Sequence, residues 1–557
     1  MAAVTETNTA SSANKTVGAS DQASLVSNSA EVSIKNGPAR TVVIVLLALL
    51  VVLAFALRAR HLGAIGFAED EVNKVDALQA YERGDISANA EHPMLMKAMM
   101  FASLKVGNAL AASGRQVSPE TLLRFPNAVF GALTVIPLFM LTAAFFDRWT
   151  GLIAAAFWAA GVNAITYNRI GKEDTLMVFF MLFAFYFYLR AKQTDTRKVE
   201  LRRRNYLLSA VSWGLMLASK YFPNYFGVNQ LYHHNYHVRT RQPGEPPGAT
   251  PRIFYIALVV AFIVFNPPVL LPQVWHYLNA YMGEKLLVHT GYLFADQLYR
   301  NNVSRSPFWG TPMYFYLVFM AIKIPLAVLI SFVAGFVVSV KRRKQPAYGF
   351  VLVTFLLWIV PYSLIGAKWL RYTLSLMPFV YMISAVGVME IFKLLAGKLN
   401  ASAQMRTVLA AVLLLGVVGW PTVIAFSAGP HYGLYTNALG GGKVGYFFPH
   451  DEFYDDGLRE AIRFVCDNAP PGAVIAQETP ATTHYYLGQF QRQDLNAKAI
   501  SSPDFDAATV SAPAYFILQR GRTYFENQDK LRFIRSNFKM VHEVQVNGLT
   551  AAEVFVK

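Results

Sequence analysis

Ala68-Glu69-Asp70-Glu71-Val72, followed twenty residues after Glu71 by Glu91-His92-Pro93-Met94-Leu95-Met96-Lys97, is a charged island in a chain that is otherwise dominated by apolar runs. The chain has 557 residues, 54% of them hydrophobic. Apolar runs near the ~20 residues that a bilayer demands recur along most of its length, which reads as a polytopic membrane protein rather than a soluble enzyme. An acidic pair and a His-Pro-x-Leu-x-Lys run kept at a water boundary of such a protein point to chemistry. The formal charge of +16 comes from Lys and Arg clustered in short loops beside apolar runs. That is the positive-inside pattern together with attraction to anionic membrane lipids, and it argues against a nucleic-acid partner. Cys466 is the only cysteine, so no intrachain disulfide forms.

Residues 1–36 are rich in Ser, Ala, Thr and Asn without an aromatic residue, and read as a disordered cytoplasmic N-terminus. Thr41 to Leu57 reads as a retained first span. Ala54-Phe55-Ala56 resembles a signal-peptidase site, but the polar lead and the apolar run are both too long for a signal peptide. We place about eleven spans, at 41–57, 124–146, 150–168, 174–190, 206–221, 222–237, 253–275, 312–340, 347–366, 370–396 and 407–428. The expected fold class is therefore mainly α: a polytopic transmembrane helical bundle over 37–429, with a small extracytoplasmic α/β domain over 430–557. In that last segment Asp455 to Asn468 is helix-like. Ala473-Val474-Ile475-Ala476, Ala514 to Leu518 and Val554-Phe555-Val556 are strand-like.

Charge sets the parity. The loop Arg190 to Arg204 and the run Lys341-Arg342-Arg343-Lys344 are expected on the cytoplasmic side. Counting outward puts 58–123 outside, so the apolar stretch 94–113 is expected along the membrane rather than across it. Lys97 and Lys105 interrupt that stretch, and a buried unpaired Lys costs about 2.5–3.5 kcal/mol. Asp70, Glu71, His92, Lys97, Arg169, Asp174, Lys220, Lys368 and Arg371 then all fall on one side, which points to a single site. If Asp70 and Glu71 sit in an extended segment, their side chains alternate, so one faces a substrate while the other holds the loop. A carboxylate facing a hydroxyl is a suitable general base. Converging Lys and Arg would bind a phosphate and stabilise charge growing on it as it leaves. Lys368 and Arg371 have an ordinary reading as snorkelling span ends, and Tyr314 and Tyr316 as aromatic belt. Lys220 at a helix break reads as lining a polar cavity. His276 and His289 are weak candidates for a divalent metal with Glu91 or Glu284, without a spacing signature.

Five motifs in order carry a resemblance: Phe67 to Val72; His92 to Lys97; Arg124-Phe125-Pro126-Asn127 onward to Gly131; Asn168-Arg169-Ile170-Gly171-Lys172-Glu173-Asp174-Thr175-Leu176; and Gly214 to Lys220. They resemble the GT-C membrane glycosyltransferases, in particular the protein O-mannosyltransferase branch (glycosyltransferase family 39-like) and its aminoarabinose-transferase-like relatives. The resemblance covers about residues 41–430. It implies a polyprenyl-phosphate sugar donor and inversion in one displacement, and gives no reason to expect a nucleotide-sugar pocket; no cofactor is expected, with a divalent metal left open. It also implies Asp70 as base with Glu71 beside it, Asp174 as the second acid, and Lys97 near the donor phosphate. Our expectation groups His92, Arg169, Lys220, Lys368 and Arg371 with that Lys. Met94 and Met96 depart from the pattern, where Pro and Gly are usual. The acceptor reads as Ser/Thr of an exported protein or an envelope lipid or glycan, and the location as a bacterial inner membrane. A transporter or lipid flippase, or a non-catalytic envelope scaffold, stays open as an alternative. A transporter would call for inverted repeats and midplane charges, and neither is evident.

Overall fold

A computed structural model describes residues 38–240, 250–283, 290–302 and 308–557. The expected disordered stretch 1–36, Glu284 and His289 lie outside the described residues.

The chain builds a helical bundle and then a mixed sheet. The helices are α1 (Arg40–Ala59), α2 (Glu69–Glu82), α3 (Met94–Ala112), α4 (Pro119–Phe145), α5 (Arg148–Ala160), α6 (Val162–Asn168), α7 (Asp174–Gln193), α8 (Val199–Ser219), α9 (Asn224–Thr240), α10 (Arg252–Phe265) and α11 (Pro272–Met282). They continue with α12 (Phe315–Lys323), α13 (Leu326–Lys341), α14 (Pro346–Leu364), α15 (Met377–Lys398) and α16 (Ala403–Ala428). Six of these are long and apolar enough to cross a membrane: α1, α4, α7, α14, α15 and α16; α5 and α6 together make a seventh, bent by 56°. This is an integral membrane protein with a mainly helical fold. The six to seven spans fall short of the eleven expected from hydropathy, for identifiable reasons. α8 opens with Glu200 and three arginines. The stretch 253–275 breaks after Asn266, where Pro267 and Pro268 remove backbone donors, and 312–340 breaks at Ile324-Pro325. α3 is long enough but is not among the helices apolar enough to span.

Each break frees carbonyls that must find donors. At the α5–α6 bend, Arg58 from the end of α1 donates to Trp158 O and Ala159 O, and its Nε reaches Asn168 Oδ1 at 2.9 Å. At the α12–α13 break, Asn437 Nδ2 donates to Ala321 O and Ile324 O, and Asn163 Nδ2 to Lys323 O. α13 and α15 cross in backbone contact: a Cβ placed on Gly335 would overlap Ile383 O, and one on Gly387 would overlap Ser331 O.

β1 (Gly291–Phe294) and β2 (Gln297–Arg300) form a hairpin. Beyond the bundle lie α17 (Pro449–Phe453), α18 (Leu458–Asn468), α19 (Pro480–Gln489) and α20 (Gln528–Asn537). They accompany β3 (Val474–Gln477), β4 (Asn496–Ala499), β5 (Ala514–Gln519), β6 (Lys539–Val546) and β7 (Leu549–Val556). The sheet order is β4-β3-β5-β7-β6, with β3 parallel to both β4 and β5 and the β6–β7 hairpin antiparallel. The all-buried β3, flanked by parallel partners, explains its unbroken apolar run.

Candidate active site

α7 and α15 both begin at the same end of the bundle, here called the head, and run away from it. Asp174 opens α7, and a 3₁₀ turn, Leu370–Ser375, leads into α15. Onto this head fold the α1–α2 connection, the loop before α3, and the strap around α17.

Asp70 and Glu71 do not occupy an extended segment. They sit in the first turn of α2, where three acids in succession suit the free N–H groups and positive end of the helix. Their side chains diverge accordingly. Glu71 is fully buried and its oxygens are fully employed. Oε1 accepts from Arg124 Nε at 2.7 Å and Gly171 N at 2.7 Å, and Oε2 from Arg124 Nη2 at 2.6 Å and Ala68 N at 3.1 Å. Arg124 spends its remaining N–H groups on the carbonyls of Leu62, Ile65 and Gly66. Glu71 is thus a strut joining α2, α4 and the 169–173 loop, each of its oxygens accepting two hydrogen bonds.

Asp70 remains 32% exposed at its side chain. Oδ2 accepts from Arg371 Nη1 and, at 2.9 Å, from Tyr454 Oη; Oδ1 lies 3.2 Å from Lys172 Nζ. Burial would raise this carboxyl, but Arg371, then Lys172 and Lys74, outweigh it and hold the group well below the usual carboxylate range. Asp174 pairs with Lys220 at 2.5 Å, whose ammonium also lies 4.5 Å from the centre of the Tyr372 ring. Between these two acids sits Glu173, wholly buried, 2.9 Å from Lys74 and 3.7 Å from His92 Nδ1, with Lys172 at 3.9 Å. Burial opposes its charge, and its neighbours His92, Lys74 and Lys172 override that and hold the carboxyl well below the usual carboxylate range. Four cations (Lys74, Lys172, Lys220, Arg371) therefore surround three carboxylates.

The remaining expected residues divide. His92 and Arg371 belong to this network. Lys97 is buried with its ammonium on the carbonyls of Ala88, Asn89 and His92, which folds the loop ahead of α3. Arg169 donates to the carbonyls of Arg58, Arg60 and His61 and covers the Tyr432 ring. Lys368 caps the end of α14 through the carbonyls of Tyr362, Ser363 and Ile365. These three are expected at a phosphate. In the structure their charges satisfy backbone oxygens freed at chain breaks, so they sit in the frame of the site. His276 is exposed on α11, and among the described residues no three His, Cys, Asp or Glu side chains group as a metal site.

Sequence reasoning assigned no role to Lys74, Lys172, Glu173 or Tyr454. For the middle two the signal was present in the Lys172-Glu173-Asp174 run; Tyr454 carried none. The strap that bears Tyr454 is held by its neighbour. Tyr454 and Asp455 both have positive φ, +48° and +65°. Asp455 Oδ1 accepts from Arg522 Nε at 2.7 Å and Gln519 Nε2 at 2.9 Å, at the carboxyl end of β5. Arg522 Nη1 in turn reaches Glu69 at 2.9 Å, and the Glu69 N–H donates to Asp455. The tip of α2 is so stapled to the sheet that follows the bundle.

Against this geometry, residues 98–271 match the family described as dolichyl-phosphate-mannose-protein mannosyltransferase. That segment runs from α3 into the turn before α11 and includes Glu173, Asp174 and Lys220, but not Asp70, Arg371 or Tyr454. Among curated proteins none matches the chain. The fold is similar to that of ArnT from Cupriavidus metallidurans bound to undecaprenyl phosphate, at TM-score 0.52 and 14% identity over 93% of this chain and 98% of that one. The apo state of the same protein gives 0.52 and 13% over 92% and 97%. The archaeal oligosaccharyltransferase AglB from Archaeoglobus fulgidus, in complex with an inhibitory peptide and a dolichol-phosphate, is more distant: 0.46 and 11% over 82% and 64%. In motif order, in the matched segment and in fold, the chain resembles the GT-C glycosyltransferases.

Proposed function

We propose that the protein is a membrane glycosyltransferase that moves one sugar from a polyprenyl-phosphate donor to a hydroxyl acceptor at the extracytoplasmic face. The observation that carries this is Asp70: a partly exposed carboxylate at the mouth of a buried cationic cluster, beside a Glu71 that is fully spent on structure. Asp70 takes the acceptor's proton as its oxygen attacks the anomeric carbon. The bond from that carbon to the phosphate oxygen breaks, and the electron pair leaves on the polyprenyl phosphate, with inversion. Arg371, Lys172 and Lys220 hold the departing phosphate, and Asp174 aligns Lys220. No step calls for a further cofactor.

The charge parity supports an N-terminus in the cytoplasm, with the head and the residues from 430 onward outside, in the inner membrane of a bacterium. The continuous helices α8 and α9, with α10–α11 and α12–α13 as interrupted spans, complete about eleven crossings. The bundle over 37–429 and the sheet-bearing segment 430–557 form separate domains, the second lending Tyr454 to the first. The acceptor is Ser or Thr of an exported protein, or an envelope lipid or glycan. Mass spectrometry of products after incubation of the purified protein with mannosyl- and aminoarabinosyl-polyprenyl phosphates tests the reading. Transfer that vanishes in Asp70→Asn, in protein that still inserts, is the expected result. Transfer at near wild-type rate in that variant overturns the assignment of the base.

A further inference from the structure

As it stands in this structure, Asp70 is a poor base. Arg371 and Tyr454 both donate to Oδ2, and the Lys172 ammonium stands 3.2 Å from Oδ1 as an ion pair, so the carboxylate is neutralised and its basicity is low. The groups around it are Glu69 and Lys74 from α2, Lys172 and His92 from the adjoining loops, Arg371 from the 3₁₀ turn, and Tyr454, Asp455 and His450 from the strap. The two cations nevertheless have donor capacity unspent. Lys172 Nζ and Arg371 Nε are buried without a hydrogen-bond partner among the described residues. A buried cation holding idle donors is short of acceptor oxygens. A single carboxylate offers two oxygens; the phosphodiester of a polyprenyl-phosphate sugar brings two more and one charge, and the phosphate monoester that leaves offers three and up to two charges.

We propose that Asp70 is the placeholder for the donor phosphate: the phosphate of an incoming polyprenyl-phosphate sugar draws Arg371 and Lys172 away from Asp70, and by that exchange releases the carboxylate to act as base, while the polyprenyl phosphate that leaves holds the same cations. This rests on the donor reading above and deepens it. Before donor arrives, the cations are neutralised by the very group that must later be free, so the buried charges are never left uncompensated. Once donor is bound, the same cations stabilise the leaving group, and Asp70, relieved of its two direct cation contacts and still held by Tyr454, becomes more basic. The base is thus switched on by the substrate it will act beside. Without donor it stays clamped, and water or a stray hydroxyl finds no competent base.

The exchange makes Asp70 and the phosphate competitors for the same cations, so their couplings are reciprocal. The test is binding of undecaprenyl phosphate to the purified full-length protein in nanodiscs, with no sugar and no turnover. Asp70→Asn should bind the lipid phosphate about tenfold more tightly than wild type. Lys172→Met should bind it about tenfold more weakly. Glu69→Gln removes the same charge one residue away, on the Arg522 side, and should stay within about twofold; this separates competition for the cations from a general electrostatic gain. Unchanged or weaker binding by Asp70→Asn, or an equal gain in Glu69→Gln, overturns the exchange while leaving the donor reading intact. No binding by wild type or either charge variant overturns the donor reading itself, and the exchange with it.

Should Asp70→Asn not fold, carbodiimide labelling of Asp70 in wild type, read by peptide mass spectrometry, gives the same answer. Undecaprenyl phosphate should raise the labelling several-fold by freeing the carboxyl. Protection or no change overturns the proposal.

Discussion

Glu71→Gln is the sharpest test of how two adjacent acids divide their work. The variant keeps one acceptor oxygen, which serves Gly171 N or Arg124 Nε. At the other position an amide NH₂ now meets the N–H of Ala68 and the Nη2 of Arg124, donor against donor. Arg124, with a side chain 6% exposed, is left as a buried cation without its counter-charge. Breaking a buried pair from one side costs about 3–5 kcal/mol, and the other carboxylate acting on Arg124, Glu120, is already bonded to Arg459 and Tyr486. At a few degrees per kcal/mol or less for a chain of this size, the apparent Tm should fall by about 5–10 °C. The assay is thermal unfolding of purified protein in one detergent at one scan rate, since a membrane enzyme of this size is governed by its unfolding rate. Under the same conditions Asp70→Asn should keep most of its stability and lose about 10²–10⁴-fold in transfer. The reasoning is refuted if Glu71→Gln melts with wild type, or if it loses transfer as Asp70→Asn does while its stability is intact.

Three further outcomes follow from the same geometry. Tyr454→Phe removes a donor to the ionised Asp70, which disfavours the charged form. The carboxyl pKa rises, and the acidic limb of kcat/KM, where activity falls as the base is protonated, should move up by about half to one pH unit, as read from a pH–rate profile. Arg371→Lys keeps the charge but loses the planar fork and the donor at Nε, so KM for the lipid donor should rise about tenfold in initial-rate kinetics. Gly335→Leu, far from the head, drives a side chain into the carbonyl of Ile383; it should lower the yield of folded protein and the Tm sharply in size-exclusion and thermal assays, whereas Gly397→Ala, in open space, should not.

Much of the frame was legible in the sequence because hydropathy and turn chemistry are local. Thr41 to Leu57 and 174–190 fall within helices, 347–366 overruns its helix by two residues, and the strand-like Val474, Phe516 and Val554 segments fall in strands to within one residue. Where expected spans are broken, the proline and asparagine breaks were visible, but their consequence depends on distant donors such as Asn437 and Arg58. Placing Asp70, Asp174, Lys220 and Arg371 at one end of the bundle needed only loop parity. What each charge does there was hidden. A lysine in a sequence does not disclose whether its partner is a ligand or three carbonyls, as at Lys97 and Lys368. The alternation argument for Asp70 and Glu71 presumed an extended backbone. A helix start separates the two side chains just as well, and it assigns the strut to the residue that can close on Ala68. Tyr454 was beyond reach, because its role comes from a left-handed strap held by Arg522, itself remote in sequence.

That strap has a consequence for timing. Asp70 emerges from the ribosome early, while the tyrosine that steadies it, and the arginine that steadies the tyrosine, are made hundreds of residues later. A nascent chain can have its bundle half inserted and its acid already in position, yet lack the clasp that completes the centre. The head is therefore complete only in a polypeptide translated past Arg522, and a product that stops short would occupy the membrane without the clasp on Asp70.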